Sequence, residues 1–155
     1  MSHLLTVSDA IATHARLHPD KTGCRDSRRA LSFAQWNSRA SRLASGLLGL
    51  GLVKGDRVVL LAYNCVEWLE MYVALARAGL VAVPVNFRLT AVEIAYIAEH
   101  SEARAIIVQE DLRGTVEPLR AQLPIAAHRW IHFGAVTPAG WQGLEALIDG
   151  VLAGQ

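Results

Sequence analysis

The side chains able to do chemistry are few in this 155-residue sequence, and their spacing excludes several reactions. Cys24 and Cys65 stand 41 residues apart, with no C-x-x-C and no histidine at zinc-ligand spacing. That rules out a disulfide framework, argues against a zinc centre, and points to two reduced, buried thiols. The six histidines are His3, His14, His18, His100, His128 and His132. His14 and His18 have the spacing of a helical pair, but Pro19 ends the helix there. The histidines are therefore read as surface or internally satisfied. No H-E-x-x-H zinc motif and no G-x-S-x-G nucleophile elbow occurs. Glu67/Glu70 and Glu99/Glu102 pair carboxylates at i, i+3 on expected helices, and a solvated face suits them better than an acid/base pair.

Two segments invite a ligand. Gly49-Leu50-Gly51-Leu52-Val53-Lys54-Gly55 looks like a phosphate loop. Its G-x-G-x-x-x-G spacing is one residue too long, however, and it closes a helix where a dinucleotide loop would open one. Lys54-Gly55 is not followed by Ser or Thr, so it is no Walker A loop; a helix cap plus a turn is the reading. Pro84-Val85-Asn86-Phe87-Arg88-Leu89-Thr90 lies between a strand end and a capped helix, the edge at which parallel sheets bind ligands. Asn86 and Arg88 are the candidates for lining a substrate cleft there. The same residues suit an Asx turn at Asn86 and a carboxylate partner for Arg88, and that structural role weighs more.

The elements that must position them alternate. Thr6 or Ser8 caps a first helix, with Val7, Ile11 and Leu17 mainly on one face, and Pro19 stops it. Residues 22–26 and 30–33 form a hairpin. Ser32-Phe33-Ala34-Gln35 is a capping box opening a helix with the stripe Trp36, Ala40, Leu43, Leu47, Leu50. Val58-Val59-Leu60-Leu61-Ala62 is apolar at every position, as a strand covered on both faces is. Asn64 and Glu67 form an N-cap pair for a helix whose Trp68, Tyr72, Leu75, Ala76 and Gly79 face one way. Residues 82–85 are a short strand, with Pro84 at its end or on a sheet edge. Thr90 to Glu93 is a further capping box, and its helix runs to about His100. Residues 105–108 and 130–133 are strands, and a weaker helix near 115–123 stops at Pro124. Trp141, Leu144, Leu147, Ile148 and Val151 make a final amphipathic helix. The four tryptophans are read as packing residues.

Strand and helix alternate from Val58 onward. That implies an α/β fold, layered, with a largely parallel sheet and helices on both faces. Residues 1–53 are a helix–hairpin–helix lead-in and residues 54–155 the alternating units. Hydrophobic residues make up 52% and charged residues 19%, which excludes a disordered chain. A net charge of +1 gives no broad field toward nucleic acid or an anionic membrane. No signal peptide or membrane-spanning run occurs, so a soluble, cytoplasmic protein is expected.

The order of the segments resembles a known family. Leu31-Ser32-Phe33-Ala34-Gln35-Trp36 is similar to the first core motif, L-[TS]-[FY]-x-[EQ]-[LW], of the acyl-adenylate-forming (AMP-binding) superfamily, in its acyl-CoA synthetase branch. Gly51 to Val58 resembles its G-[LV]-x-x-G-D-x-V turn. Ala74 to Asn86 resembles its second core motif, A-x-x-[KR]-A-G-[AG]-x-x-x-P-[LIV]-[ND], and Arg88-Leu89-Thr90 continues in the style of the CoA ligases. The likeness is dense over residues 4–112. It implies an ATP-, Mg²⁺- and CoA-dependent ligase that makes an acyl-adenylate and then a thioester of a fatty or aryl acid. The family's T-S-G-T-T-G-x-P-K-G phosphate loop and late catalytic lysine have no counterpart in this sequence. No catalytic, cofactor-binding or metal residue is therefore carried over. The resemblance implies an N-terminal part of the large domain, truncated, inactive by itself and binding no cofactor tightly. A non-catalytic product or docking module is the alternative, and an exposed sheet edge is expected to promote self-association.

Overall fold

Local side-chain chemistry starts three of the helices in this computed structural model, which describes residues 5–150. Helix α1 (Val7–Leu17) opens on Thr6, whose hydroxyl accepts from Asp9 N–H while the Asp9 carboxylate accepts from Thr6 N–H. Strands β1 (Thr22–Arg25) and β2 (Ala30–Ser32) pair antiparallel as the hairpin. Ser32 and Gln35 form the capping box of α2 (Phe33–Gly49), and Thr90 and Glu93 that of α4 (Ala91–His100). Each box satisfies two end groups that a bare helix leaves open.

Between and beyond them lie β3 (Arg57–Leu61), α3 (Val66–Ala78), β4 (Val81–Pro84), β5 (Ala105–Gln109), α5 (Arg113–Val116), β6 (Trp130–Phe133), β7 (Gln142–Gly143) and α6 (Leu144–Ile148). The five strands β4-β3-β5-β6-β7 form one sheet, and every pair in it is parallel. The period of two sorts its side chains cleanly. Val58, Leu60, Ala105, Ile107, Ile131 and Phe133 point into one core with α1, α2, α3 and α6. Val59, Leu61, Ile106, Val108 and Trp130 point into a second core with α4 and α5. Helices thus cover both faces, as the unbroken apolar runs require.

Several local expectations are corrected. Of the α1 stripe only Ile11 is buried; Val7 is 49% and Leu17 60% exposed. The helix meets its neighbours along the Ser8–Ile11 line, where Arg77 Nε donates to Ser8 Oγ at 3.0 Å. The Asn64–Glu67 cap does not form: Cys65 is the N-cap of α3 and offers no side-chain bond. On α3 the buried residues include Met71, Val73, Ala74 and Ala78, because this helix is pressed between the sheet and α2. The weak helix breaks into α5 and short 3₁₀ turns around Pro118, which lacks an N–H. Gln142 and Gly143 pair with β6, so the last helix starts only at Leu144, and Trp141 joins the opposite core. Val151 lies outside the described residues.

Candidate functional site

Two cavities open at the carboxyl ends of the strands. The larger, about 660 Å³, lies beyond β3 and β4. Trp68, Tyr72 and Phe87 give it an aromatic lining, and Arg25, Asp26, Asn64 and Asn86 are its main polar groups. Trp68 and Tyr72 stack at 5.4 Å, and Tyr63 meets Phe87 edge-on at 4.8 Å. Tyr72 is 38% exposed, so the α3 pair read from sequence as core turns instead toward this cleft. Trp68 is the tryptophan that departs from a purely packing role.

Asn86 lines the cleft and makes the Asx turn, its Oδ1 accepting from Arg88 N–H at 2.9 Å. Arg88 lies beside the cleft with its guanidinium 5.6 Å from the Phe87 ring centre. The carboxylate partner expected for it is not found: Arg88 enters no ion pair among the described residues. Asn86 is held by its own backbone loop, whereas the Arg88 guanidinium is exposed and can turn toward an anion.

The hairpin tip closes one side of the cleft. Asp26 Oδ2 accepts from Val66 N–H at 2.9 Å and so caps α3 in place of Asn64. Its other oxygen accepts from the backbone of Arg28 and Arg29 at 2.7 and 2.9 Å. These bonds hold the carboxyl down to about 2, the Val66 N–H contributing most. Behind the tip, Glu67 and Glu70 are not the solvated face that their spacing suggested. Glu70 is fully buried between Arg29 and Arg39, and Glu67 meets Arg28 at 3.1 Å and Arg29 at 3.3 Å. Burial works against the Arg39 charge, yet hydrogen bonds to Glu145 and Glu70 outweigh it and raise its pKa. No local pattern announces this chain of charges, because hairpin and helix partners are some 40 residues apart.

Cys65 lines the same cleft, but burial pushes its thiol up to about 11, and Cys24 likewise. Both thiols are free and protonated near neutrality, which makes neither a ready nucleophile. The second cavity, about 460 Å³, lies beyond β5 and β6 and is lined in part by Arg28 of the hairpin tip and Glu67 of α3. Between the cavities the chain leaves β3 toward β4 on one side and β5 toward β6 on the other, the reversal at which open parallel sheets form a crevice. Tyr63 N–H donates to Gln109 Oε1 across it at 2.9 Å.

The glycine-rich segment takes no part. Gly51 and Gly55 have φ of +78° and +91° and turn the chain from the end of α2 into β3, at the opposite end of the sheet. Its carbonyls are occupied by Arg129, which donates to Leu50 O at 3.1 Å and Gly51 O at 2.9 Å. A helix carboxyl end carries the wrong dipole sign for phosphate. Among the described residues no group of three or more His, Cys, Asp or Glu could hold a metal ion. No helix of the described residues is long and apolar enough to cross a membrane. His132, read as surface or satisfied, is fully buried, and neither ring nitrogen has a partner.

The family model described as "AMP-binding enzyme" matches residues 11–141. The chain is 39% identical over 92 residues to the long-chain-fatty-acid–CoA ligase FadD13 of Mycobacterium tuberculosis, covering 59% of this chain and 18% of that protein. It is 32% identical over 145 residues to the indoleacetate–CoA ligase of Aromatoleum aromaticum, covering 94% of this chain and 28% of that one. In fold it is similar to the anthranilate CoA ligase AuaEII in complex with anthranoyl-AMP, with a TM-score of 0.90 at 24% identity, over 98% of this chain and 29% of that chain. The chain thus spans less than a third of the length of each of these three relatives.

Proposed function

Because the chain belongs to the AMP-binding enzyme family, we propose that it is the N-terminal portion of an ATP-dependent acyl-CoA synthetase acting on a fatty or aryl acid. In that reaction a carboxylate oxygen attacks the α-phosphate of ATP and pyrophosphate leaves. The thiol of CoA then takes the acyl carbon from AMP. ATP, Mg²⁺ and CoA are cofactor and substrates of the whole enzyme and are not expected to bind this chain tightly. Residues 1–155 form one partial domain, with 1–53 as its lead-in and 54–155 as its alternating units.

The match over residues 11–141 carries this reading. Relatives named for long-chain fatty acids and for indoleacetate support an acid of either class. Asn86 and Arg88 are assigned to the substrate cleft at the carboxyl edge, Arg88 as an exposed cation with no carboxylate partner among the described residues. The chain alone is proposed to be inactive: the family's phosphate loop and late catalytic lysine have no counterpart in its sequence, and among the described residues no group of three or more His, Cys, Asp or Glu could hold a metal ion. Two free thiols favour a reducing compartment, and the cytoplasm is the location proposed. Self-association through the open edge of β4 is proposed as its one interaction in isolation.

Acid-dependent ATP–pyrophosphate exchange tests both parts. The isolated chain is expected to show none, and turnover by it overturns the claim of inactivity. A chimera in which this chain replaces the matching stretch of the indoleacetate–CoA ligase is expected to exchange. A folded but silent chimera overturns the family-level function. In an active chimera, Arg88→Ala is expected to lower exchange without changing the melting temperature, and unchanged exchange removes Arg88 from the site.

A further inference from the structure

Among the described residues four buried side-chain polar atoms have no partner, and two of them are the ring nitrogens of His132. A neutral imidazole carries one N–H and one lone pair, so this ring forgoes both its hydrogen bonds. A charged ring in the same place would be far costlier. Its surroundings offer no relief. In register it is flanked by Val108 of β5 and Gly143 of β7, and Trp141 lies edge-on at 6.1 Å. Burial pushes its pKa down, and of the two charges that bear on it Glu110 opposes that shift while Arg113 adds to it. Neither is idle: Glu110 accepts from Ala135 N–H at 2.9 Å, and Arg113 pairs with Glu117 at 3.0 Å. Glu117 and Arg120 contact Trp141, through its Nε1 at 3.2 Å and over its ring at 4.7 Å.

The ladder beside His132 is the shortest in the parallel sheet. β7 pairs with β6 only at Ile131↔Gln142 and His132↔Gly143, whereas the β3–β5 and β5–β6 pairs each have four registered positions. β7 is therefore the strand whose release gives up the fewest registered ladder positions, and its release would open His132 to water. We propose that His132 is an acid-sensitive pin: once protonated, it releases β7 and Trp141 from β6 while the β3–β5 ladder stays closed. The released ring is within the field of Glu110, which becomes its counter-charge in the open state.

The sign follows from proton linkage. The open state binds the proton at the ordinary histidine pKa of about 6.5, and the closed state binds it only at lower pH. Closure is therefore full above about pH 6.5 and weakens as the pH falls, by up to about tenfold per unit.

Hydrogen exchange on the whole 155-residue chain at pH 7.0, 6.5 and 5.5 tests this, as protection factors corrected for intrinsic rates. Protection of residues 130–133 and 142–143 is expected to fall up to about fivefold between pH 6.5 and 5.5, with residues 57–61 unchanged. In His132→Gln and His132→Phe the fall is expected to disappear. Uniform loss across the sheet, or the same fall in both variants, overturns the proposal. If neither variant folds, histidine ring NMR of the unaltered chain decides. A His132 ring that stays neutral at pH 5.5 while β7 exchanges faster overturns the proposal, and a ring that titrates together with the opening supports it.

Discussion

The Asp26 carboxylate accepts the Val66 N–H at 2.9 Å across 40 residues of sequence, so the tip of the hairpin supplies the capping bond that Cys65, the N-cap residue of α3, does not make. The negative group sits at the positive end of the helix dipole, and it fastens the hairpin over the cleft. Replacing Asp26 with Ala should lower the melting temperature by roughly 2–4 °C, the shift one lost cap gives in a chain of this size. The pH dependence has a fixed sign. Asp26 is held at about 2 against its ordinary 3.8, so its contribution is complete above about pH 4 and is lost as the pH falls toward 2. The unaltered chain should lose melting temperature more steeply over that interval than Asp26→Asn. Parallel slopes in a thermal scan would separate the cap from stability.

Glu70 makes a larger claim on the same region. It is fully buried between the guanidinium groups of Arg29 and Arg39. Glu70→Ala leaves two cations facing a buried vacancy and should destabilise by about 3–5 kcal/mol, read by urea unfolding. The triple replacement by Met of Arg29, Arg39 and Glu70 removes all three charges and should recover most of that loss. A triple variant as unstable as Glu70→Ala would mean that the ion cluster is not the cause.

What could be read in the sequence divides along contact distance. The Ser32–Gln35 and Thr90–Glu93 boxes are closed within four residues, and the covered strands declare themselves by apolar runs such as Val58 to Leu61. The Asn86 Asx turn is equally local. The Asp26 cap, the Glu70 cluster and the two-residue pairing of β7 all depend on partners far away in the chain, and no periodicity encodes them. Trp68 and Tyr72 carried a misleading signal: their spacing is that of a core stripe. The aliphatic residues Met71, Val73, Ala74 and Leu75 already fill the buried faces of α3, which left the rings for the cleft.

Gly46 marks where α2 and α6 touch. A Cβ there would stand 2.8 Å from Leu147 O and 2.9 Å from Leu147 Cβ. The first of these is backbone and cannot swing aside, so Gly46→Ala should cost about 1–3 kcal/mol although Ala is the better helix former. Gly114 in α5 is the control, since its added Cβ would meet nothing within 4 Å. Gly114→Ala should stabilise by about 0.5–1 kcal/mol. Urea midpoints moving the same way in both variants would contradict the close approach at Gly46.

The open edge of β4 is blunted by one residue. Val81 N–H donates to Asp56 O at 2.8 Å and Val85 N–H to Leu60 O at 3.0 Å, so the odd positions turn their N–H groups inward to β3. Ala82 and position 84 then face outward, and Pro84 has no N–H to offer. An incoming strand finds one donor where it needs two. Pro84→Val restores the second and should tighten self-association roughly three- to tenfold, the worth of about one net backbone hydrogen bond. Ala82→Lys places a charge on the same edge and should loosen it. Sedimentation velocity over a concentration series reads both. A chain that stays monomeric throughout, with Pro84→Val equally monomeric, would remove the β4 edge as an interface.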